Sequence, residues 1–385
     1  MTKLVGAAGI LMVLALLFGV NFYLARRLWQ GLQFIFPRVR FGWVLGIFLF
    51  LAIVMLLGFA RSFLPLPSAG KHVLGAVGLC WMGVFLYLLL MVVLSDLVVL
   101  LLGLCRAVAF PISARVRFVA GLSAVVLALG ISGYGFVHAR QIKHVTYTVT
   151  LSGKEDLSDL KLVLISDLHL GALGSESRLD KIVQEINALQ PDVICIAGDF
   201  FDSDFHSIRN PEKAAAALQK LSATYGVYAC MGNHDAGSTH QDMLTFLEQC
   251  GIRTLLDEAV IINDHFVLAG RLDSSPIGSF DGTRKELSSF LPETDLPVIV
   301  MDHNPGNMGT YTHEADLILS GHTHKGQLFP VGLITDAMFE EDHGYYRRDE
   351  NSPHVIITSG IGYWGMPMRV GTDSEIVSIT LRSEQ

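Results

Sequence analysis

Acidic residues are almost absent from the first third of the chain, where Asp96 is the only carboxylate among residues 1–143. The same stretch holds 12 lysines and arginines, whereas the rest of the chain carries 16 basic and 35 acidic side chains. A basic, apolar first part followed by an acidic part of ordinary composition is typical of a membrane region joined to a water-soluble domain. We therefore divide the 385-residue chain into a transmembrane region, 1–143, and a second domain, 144–385.

Cysteine is scarce as well, and basic clusters are lacking in the acidic part. The five cysteines have spacings that match neither a zinc ribbon nor a disulfide framework. Cys195 and Cys230 fall in predicted strands, where we expect small core residues. Because phosphate backbones require basic surfaces, nucleic acid is not an expected partner.

Long apolar runs occupy the first third, and a run of about 20 residues covers the ~30 Å hydrocarbon core of a bilayer. They predict four transmembrane helices, at about 4–25, 43–60, 73–95 and 118–137. A secretory signal peptide is the alternative for the first run. That run exceeds a usual signal-peptide core, however, and no small-x-small cleavage site precedes Arg26. The sequence thus predicts a multi-pass integral membrane protein in contact with the lipid bilayer.

Arginine placement predicts the orientation of these helices. The loop at 26–42 holds four arginines and the loop at 104–117 holds three, while the opposite side holds five lysines and arginines. Since cytoplasmic loops carry an excess of basic residues, the two arginine loops are assigned to the cytoplasm. The domain that follows Arg140 is then expected outside the cytoplasm.

Strands and helices alternate in the second domain, 144–385, which predicts a layered α/β fold. Strands are predicted at 161–166, 192–197 and 226–231, and helices at about 177–189, 211–222 and 240–250. After Arg253 short strands dominate, which indicates a second sheet packed on the first.

Metal-type ligands follow five of these strands. The blocks are Asp167-x-His169, Gly198-Asp199 with Asp202, Gly232-Asn233-His234-Asp235, Asp302-His303, and Gly321-His322-Thr323-His324. Alone, each is weak evidence, because Asp-x-His is common and Asn-His-Asp is ordinary turn composition. Together they indicate one site, since ligand-rich loops meet at the carboxyl ends of strands in α/β sheets. Carboxylate oxygens and imidazole nitrogens suit a divalent cation of the Mn, Fe or Zn type without distinguishing among them.

These five blocks, in this order, resemble the calcineurin-like metallophosphoesterase superfamily. Further along, Gly326-Gln327, Ser359-Gly360-Ile361-Gly362 and Pro367-Met368-Arg369 resemble its membrane-associated branch, which includes bacterial phosphodiesterases of the YkuE and YaeI type. Lys325 departs from that branch, which usually has a second glycine there. The resemblance implies a four-layer α/β sandwich, in which two mixed β-sheets are flanked by helices. The all-α four-helix region lies outside the resemblance.

The resemblance also implies roles for single residues. Asp199 would bridge two metals. Asp167, His169 and His324 would complete one metal site, and Asn233, His303 and His322 the other. His234 would protonate the leaving oxygen, with Asp235 orienting its ring.

Two further residues have open alternatives. Asp202 could contact the metal ligands without binding a metal itself, or it could serve as a helix N-terminal carboxylate. Arg369 could clamp the substrate phosphate or be a plain surface arginine.

The sequence as a whole predicts a membrane-bound dinuclear phosphoesterase that cleaves a phosphodiester, phosphomonoester or pyrophosphate bond by metal-activated hydroxide, with His234 as general acid. The membrane region alone prompts the hypothesis of a lipid-linked substrate. One branch member acts on a lipid A precursor at the cytoplasmic face, a precedent that competes with the outward orientation. The alternative is a non-catalytic metal-binding membrane scaffold on the same fold.

Overall fold

The structure is a computed structural model that describes residues 2–151, 159–171, 175–279 and 282–383. The chain forms two compact units, Met1–Phe136 and Val137–Gln385.

Long helices make up the first unit. They are α1 (Thr2–Leu32), α2 (Phe41–Phe59), α3 (Ser68–Leu104) and α4 (Ala114–His138). Within the described residues, these four helices are long and apolar enough to cross a membrane.

Helix α3 is much longer than the predicted 73–95, because Asp96 does not interrupt it. The Asp96 carboxylate lies 2.6 Å from Nε of Arg27 and accepts a hydrogen bond from the Tyr23 hydroxyl. A carboxylate neutralised in this way is tolerated inside an apolar helix. The 37 residues of α3 span about 55 Å at 1.5 Å per residue.

The second unit contains two mixed sheets. In its described residues, the first sheet has the order β1-β12-β2-β3-β4-β5, with β2 to β5 parallel and β12 antiparallel to β2. Its strands are β1 (Ile142–Leu151), β2 (Leu160–Ile165), β3 (Val193–Ala197), β4 (Val227–Cys230), β5 (Ile252–Thr254) and β12 (Ser374–Ser383). Every residue of β3 is buried, as expected for a parallel strand covered on both faces.

The second sheet has the order β10-β11-β9-β8-β7-β6 among the described residues. Its inner strands are parallel, and both edge strands are antiparallel to their neighbours. The strands are β6 (Glu258–Ile262), β7 (Phe266–Gly270), β8 (Val298–Met301), β9 (Leu317–Ser320), β10 (Gly344–Tyr346) and β11 (His354–Ile357). The predicted pair of mixed sheets flanked by helices is confirmed.

Helices α5 (Leu179–Ala188), α6 (Pro211–Leu218) and α7 (His240–Gln249) pack on the first sheet, and α8 (Gly332–Met338) follows β9. Helix α5 buries Leu179, Ile182, Val183 and Ile186, a spacing that places one apolar stripe against the sheet. A second apolar core fills the space between the two sheets and includes the predicted core residue Cys195. These two cores hold the strands whose carboxyl ends carry the polar loops.

Candidate metal centre

Loops from both sheets meet at one edge of the sandwich and bring the predicted ligands together. Strands β2, β3 and β4 of the first sheet lead into the blocks of Asp167, Asp199 and Asn233. Strands β8 and β9 of the second sheet lead into the blocks of His303 and His322. Parallel strands that end at a common edge explain why side chains up to 157 positions apart in sequence converge.

The first cluster comprises Asp167, His169 and His324, all buried, with ligand atoms close enough to hold one metal ion. Nε2 of His169 lies 3.1 Å from Nε2 of His324. Nε2 of His324 also lies 3.3 Å from a carboxylate oxygen of Asp167. Nδ1 of His324 is buried and has no hydrogen-bond partner in the described structure. Two imidazole nitrogens and a carboxylate directed at one point fit a divalent cation.

The second cluster comprises Asp199, His303 and His322, whose ligand atoms also converge. Nδ1 of His322 lies 3.3 Å from Nε2 of His303 and 2.9 Å from the amide oxygen of Asn233. The other ring nitrogen of His303 is 2.8 Å from the carbonyl of Ala197. Because a carbonyl only accepts, Nδ1 of His303 carries a proton, and in the neutral ring the lone pair of Nε2 faces the cluster.

Asp199 lies between the two clusters. Its Oδ2 is 3.2 Å from Nε2 of His303 and 3.7 Å from Nε2 of His169. Its other oxygen accepts a hydrogen bond from the backbone N–H of His234. Asp199 is 2 % exposed. Its carboxylate is therefore shielded from water, and it lies between histidines of both clusters.

Backbone conformation at the site is unusual. Asp167, His169, Asp199, His322 and His324 all have φ between 47° and 74°, a region that ordinary L-residues avoid. Glycines permit the close approach of these loops, since a Cβ at Gly232 would collide with the carboxylate of Asp199. Non-glycine residues held in this region are concentrated at functional sites.

Burial controls the charge of the site. It lowers the pKa of His169 and of His322 to about 4 and raises the pKa of Asp167 to about 6. Burial also opposes ionisation of Asp199, but the charge and hydrogen bond of His303, together with the charges of His169 and His234, outweigh it and hold the pKa of Asp199 well below its ordinary value. The neutral rings of His169 and His322 and the ionised carboxylate of Asp199 are forms that bind a divalent cation.

His234 has a different partner from the predicted one. Its Nδ1 lies 2.6 Å from the hydroxyl of Ser203. The Asp235 carboxylate instead accepts hydrogen bonds from the backbone N–H groups of Phe200, Phe201 and Gly232. The expectation that Asp235 orients the ring of His234 is thereby corrected: Asp235 joins two of the site's loops. The sequence contains no local signal for Ser203, because this contact joins loops 31 positions apart.

Asp202 lies beside the first cluster. A Cβ added at Gly171 would meet its side chain, and its negative charge favours the protonated form of His169, whose pKa burial lowers. The helix-terminal alternative is not realised, since the short helix that follows, Phe205–Ser207, is capped by Asp204.

Arg369 occupies neither of its predicted positions. It is fully buried, and its guanidinium donates hydrogen bonds to the backbone carbonyls of Ser359, Gly360, Gly362 and His324. The Gly362 N–H in turn donates to the carbonyl of Asp167. Arg369 therefore fastens the loop behind Asp167 to the loop of His324, and no part of its guanidinium is left for a phosphate.

Comparison with known proteins agrees with this arrangement. A model of the family described as calcineurin-like phosphoesterase matches residues 160–326. A protein of Aquifex aeolicus named uncharacterized metallophosphoesterase is 30% identical over 269 residues, which cover 67% of this chain and 98% of that protein. The chain belongs to the calcineurin-like phosphoesterase family.

Other relatives of this phosphoesterase chain carry the same name. YkuE of Bacillus subtilis is 26% identical over 286 residues, covering 70% of this chain and 98% of YkuE, so the predicted resemblance is confirmed. The Danio rerio transmembrane protein with metallophosphoesterase domain is 33% identical, covering 67% of this chain and 62% of that protein. The chain likewise spans 60% of a Helicobacter pylori relative. Among solved structures, Haemophilus influenzae NAD nucleotidase aligns over 52% of this chain and 45% of its own, at 14% identity and a TM-score of 0.36.

Replacing Arg369 by Met should destabilise the catalytic unit without a specific effect on substrate affinity. The lost donors leave several buried carbonyls unpaired, which costs about 3 kcal/mol and lowers the melting temperature by roughly 6–12 °C. Calorimetry of the detergent-solubilised chain would measure this shift. Arg382→Met is the matched control, because Arg382 pairs with Asp159 only at the surface and its loss should leave the transition in place. If Arg369→Met left the melting temperature unchanged and raised KM, the result would contradict the structural role and support a contact between Arg369 and the substrate phosphate.

Proposed function

We propose that this calcineurin-like phosphoesterase is a membrane-embedded, metal-dependent hydrolase of a phosphodiester, phosphomonoester or pyrophosphate bond. The observation that carries the proposal is the buried carboxylate of Asp199, shared by histidines of both clusters at 3.2 Å and 3.7 Å. A carboxylate placed between two ligand clusters would serve both cations of a two-metal site, the kind of site that suits phosphoester cleavage.

The ligand sets follow from the two clusters. Asp167, His169 and His324 would hold one cation, and Asn233, His303 and His322 the other, with Asp199 common to both. Two divalent cations of the Mn, Fe or Zn type would supply charge for the phosphoryl oxygens and activate the attacking water. Asn233 contributes a neutral oxygen, so the loaded site keeps positive charge for an anionic phosphate.

His234 is proposed as the general acid. Its ring centroid is 5.2 Å from that of His169, so it borders the first cluster without belonging to it. With Nδ1 held by the Ser203 hydroxyl, Nε2 remains to donate a proton to the leaving oxygen. The Ser203 hydroxyl accepts from Nδ1–H and so fixes the orientation of the ring.

The membrane region supports a finer proposal about substrate and location. The four apolar helices make a multi-pass membrane protein, and the arginine-rich loops at 26–42 and 104–117 favour a catalytic unit outside the cytoplasm. A chain held in a bilayer by several helices meets lipid headgroups at high local concentration. A lipid-linked phosphoester is therefore the proposed substrate class.

Metal-dependent hydrolysis of bis-p-nitrophenyl phosphate and p-nitrophenyl phosphate tests the activity. We expect turnover by the purified full chain with Mn, loss of turnover on chelation, and separate effects of two variants. Asp199→Ala should lose both bound metal and turnover, because the shared ligand is gone. His234→Ala should retain metal, measured by elemental analysis, and lose turnover 10²- to 10⁴-fold. Tightly bound metal without turnover of these esters or of lipid extracts would support the scaffold instead.

Removing the hydroxyl of Ser203 should slow turnover with little change in KM or metal content. We expect Ser203→Ala to lower kcat about tenfold, a fraction of the whole general-acid contribution, and Ser203→Thr to restore it. Steady-state kinetics beside Ser207→Ala gives the control, because Ser207 bonds only the nearby Asp204 carbonyl. Equal effects of Ser203→Ala and Ser207→Ala would contradict the assigned contact.

Reporter fusions test the orientation. A β-lactamase fused after Gln385 should confer ampicillin resistance, and green fluorescent protein at the same point should stay dark, because each works on one side only. A fusion after Arg106, in an arginine-rich loop, should show the opposite pattern. The reverse result for both fusions would place the catalytic unit in the cytoplasm and make nucleotide-linked lipids credible substrates.

A further inference from the structure

Helix α8 carries large apolar side chains that face solvent. None of its residues is buried, and Leu333, Ile334 and Met338 are 62 %, 57 % and 72 % exposed. Phe329, just before the helix, is 57 % exposed. We call these four side chains the α8 face. A cluster of exposed apolar residues on a water-soluble domain marks a binding surface.

The α8 face is tied to the metal centre at both of its ends. The segment that carries the face, 329–338, begins five positions after His324. Phe339, which follows α8, packs edge-on against the ring of His322 at 6.0 Å between centroids. A cavity of about 240 Å³ lies beside the segment and is lined by Lys325, Phe329 and Leu333, among others. The segment that carries the face and lines the cavity is thus connected to the site through His324 in sequence and through Phe339 in space.

Most of the exposed large apolar side chains in the catalytic unit lie in segments that contact the site. Among the residues that the structure describes after position 140, eight large apolar side chains are exposed, and six of them belong to segments that contact the site. Beyond the α8 face, these are Trp364, whose ring lies 5.9 Å from that of His234, and Ile277, whose N–H donates to the Asn233 carbonyl. The buried Gln327 side chain holds Trp364 there through hydrogen bonds to its N–H and carbonyl.

The chemistry around the face selects its occupant. Asp336 and Asp342 line the same cavity as Lys325, so the charge around it is net negative and does not attract an anionic bilayer surface. Four side chains are far fewer than the roughly 20–30 residues that each partner contributes to a stable protein interface. A molecule with a phosphate and a hydrocarbon chain matches both features: its phosphate suits the metal centre and its hydrocarbon chain suits the α8 face.

We propose that the α8 face and the cavity beside Lys325 bind the hydrocarbon part of an amphipathic phosphoester whose phosphate lies at the metal centre. This inference rests on the proposed phosphoesterase function. It adds the surface that selects the substrate, and it predicts that alkyl length next to the phosphate governs specificity.

Two phosphodiesters with the same leaving group test it: ethyl p-nitrophenyl phosphate and octyl p-nitrophenyl phosphate, each kept below its micellar concentration. For the full chain in detergent, we expect kcat/KM to be at least about tenfold higher for the octyl ester. Complete burial of each methylene would contribute a factor of about four, so partial burial of six suffices.

The variant Leu333→Gln/Met338→Gln removes the apolar surface and keeps good helix formers. Both positions are exposed, so the fold should be retained. This variant should lose most of the octyl preference while hydrolysing the ethyl ester like the wild type. Ile261→Thr is the control, because Ile261 is 41 % exposed on β6, the edge of the second sheet opposite β10. It should leave the preference unchanged.

Equal hydrolysis of the two esters by the wild type, or an octyl preference that survives in the double variant, overturns the inference while the phosphoesterase function stands. Calorimetric binding of octyl phosphate against ethyl phosphate covers the case in which neither ester is hydrolysed. If octyl phosphate then bound more tightly than ethyl phosphate, and this difference depended on Leu333 and Met338, the α8 face would be supported as a hydrocarbon-binding surface. The proposed phosphoesterase function would be rejected. Equal or absent binding would reject both.

Discussion

The catalytic unit depends on the enclosure of one negative charge. Asp199 is 2 % exposed, and a carboxylate removed from water is stable only where positive charge or hydrogen-bond donors replace the solvent. His303 and His169 approach one of its oxygens, and the backbone N–H of His234 donates to the other. Because Asp199 and these three partners come from four different loops, the enclosure of this one group sets the relative position of all four.

The surrounding fold supports a backbone that is strained at this point. Left-handed conformations at residues such as Asp167 and His322 cost roughly 1–2 kcal/mol each, and they persist because packed strands determine where each loop starts. Gly232 and Gly321 allow the carboxylates of Asp199 and Asp167 to approach the neighbouring backbone. Arg369 adds buried hydrogen bonds behind Asp167. Rigid sheets, close glycine contacts and one buried guanidinium thus fix the geometry that the ligands need.

Agreement between sequence and structure is best where the signal is local. Apolar runs such as Leu160–Ile165 predicted the strands, and the polar blocks after them predicted which side chains converge, because a parallel strand delivers its last residues to a known edge. Helix α3 extends beyond the predicted 73–95 at both ends, and only the structure shows that Asp96 within it contacts Arg27 and Tyr23. Arg369 was misjudged for the same reason: a guanidinium and its acceptors are far apart in sequence.

The sequence by itself determined the two-part character of the chain, the four apolar helices, the alternation of strands and helices, and which polar side chains cluster. These properties follow from composition, periodicity and motif order, which short stretches of chain contain in full. Only the tertiary structure decided that Ser203 meets His234, that Asp235 binds backbone N–H groups, and that Phe339, which follows α8, packs against the ring of His322. Those outcomes depend on which loops become neighbours and which side chains stay uncovered, and packing of the whole domain settles both.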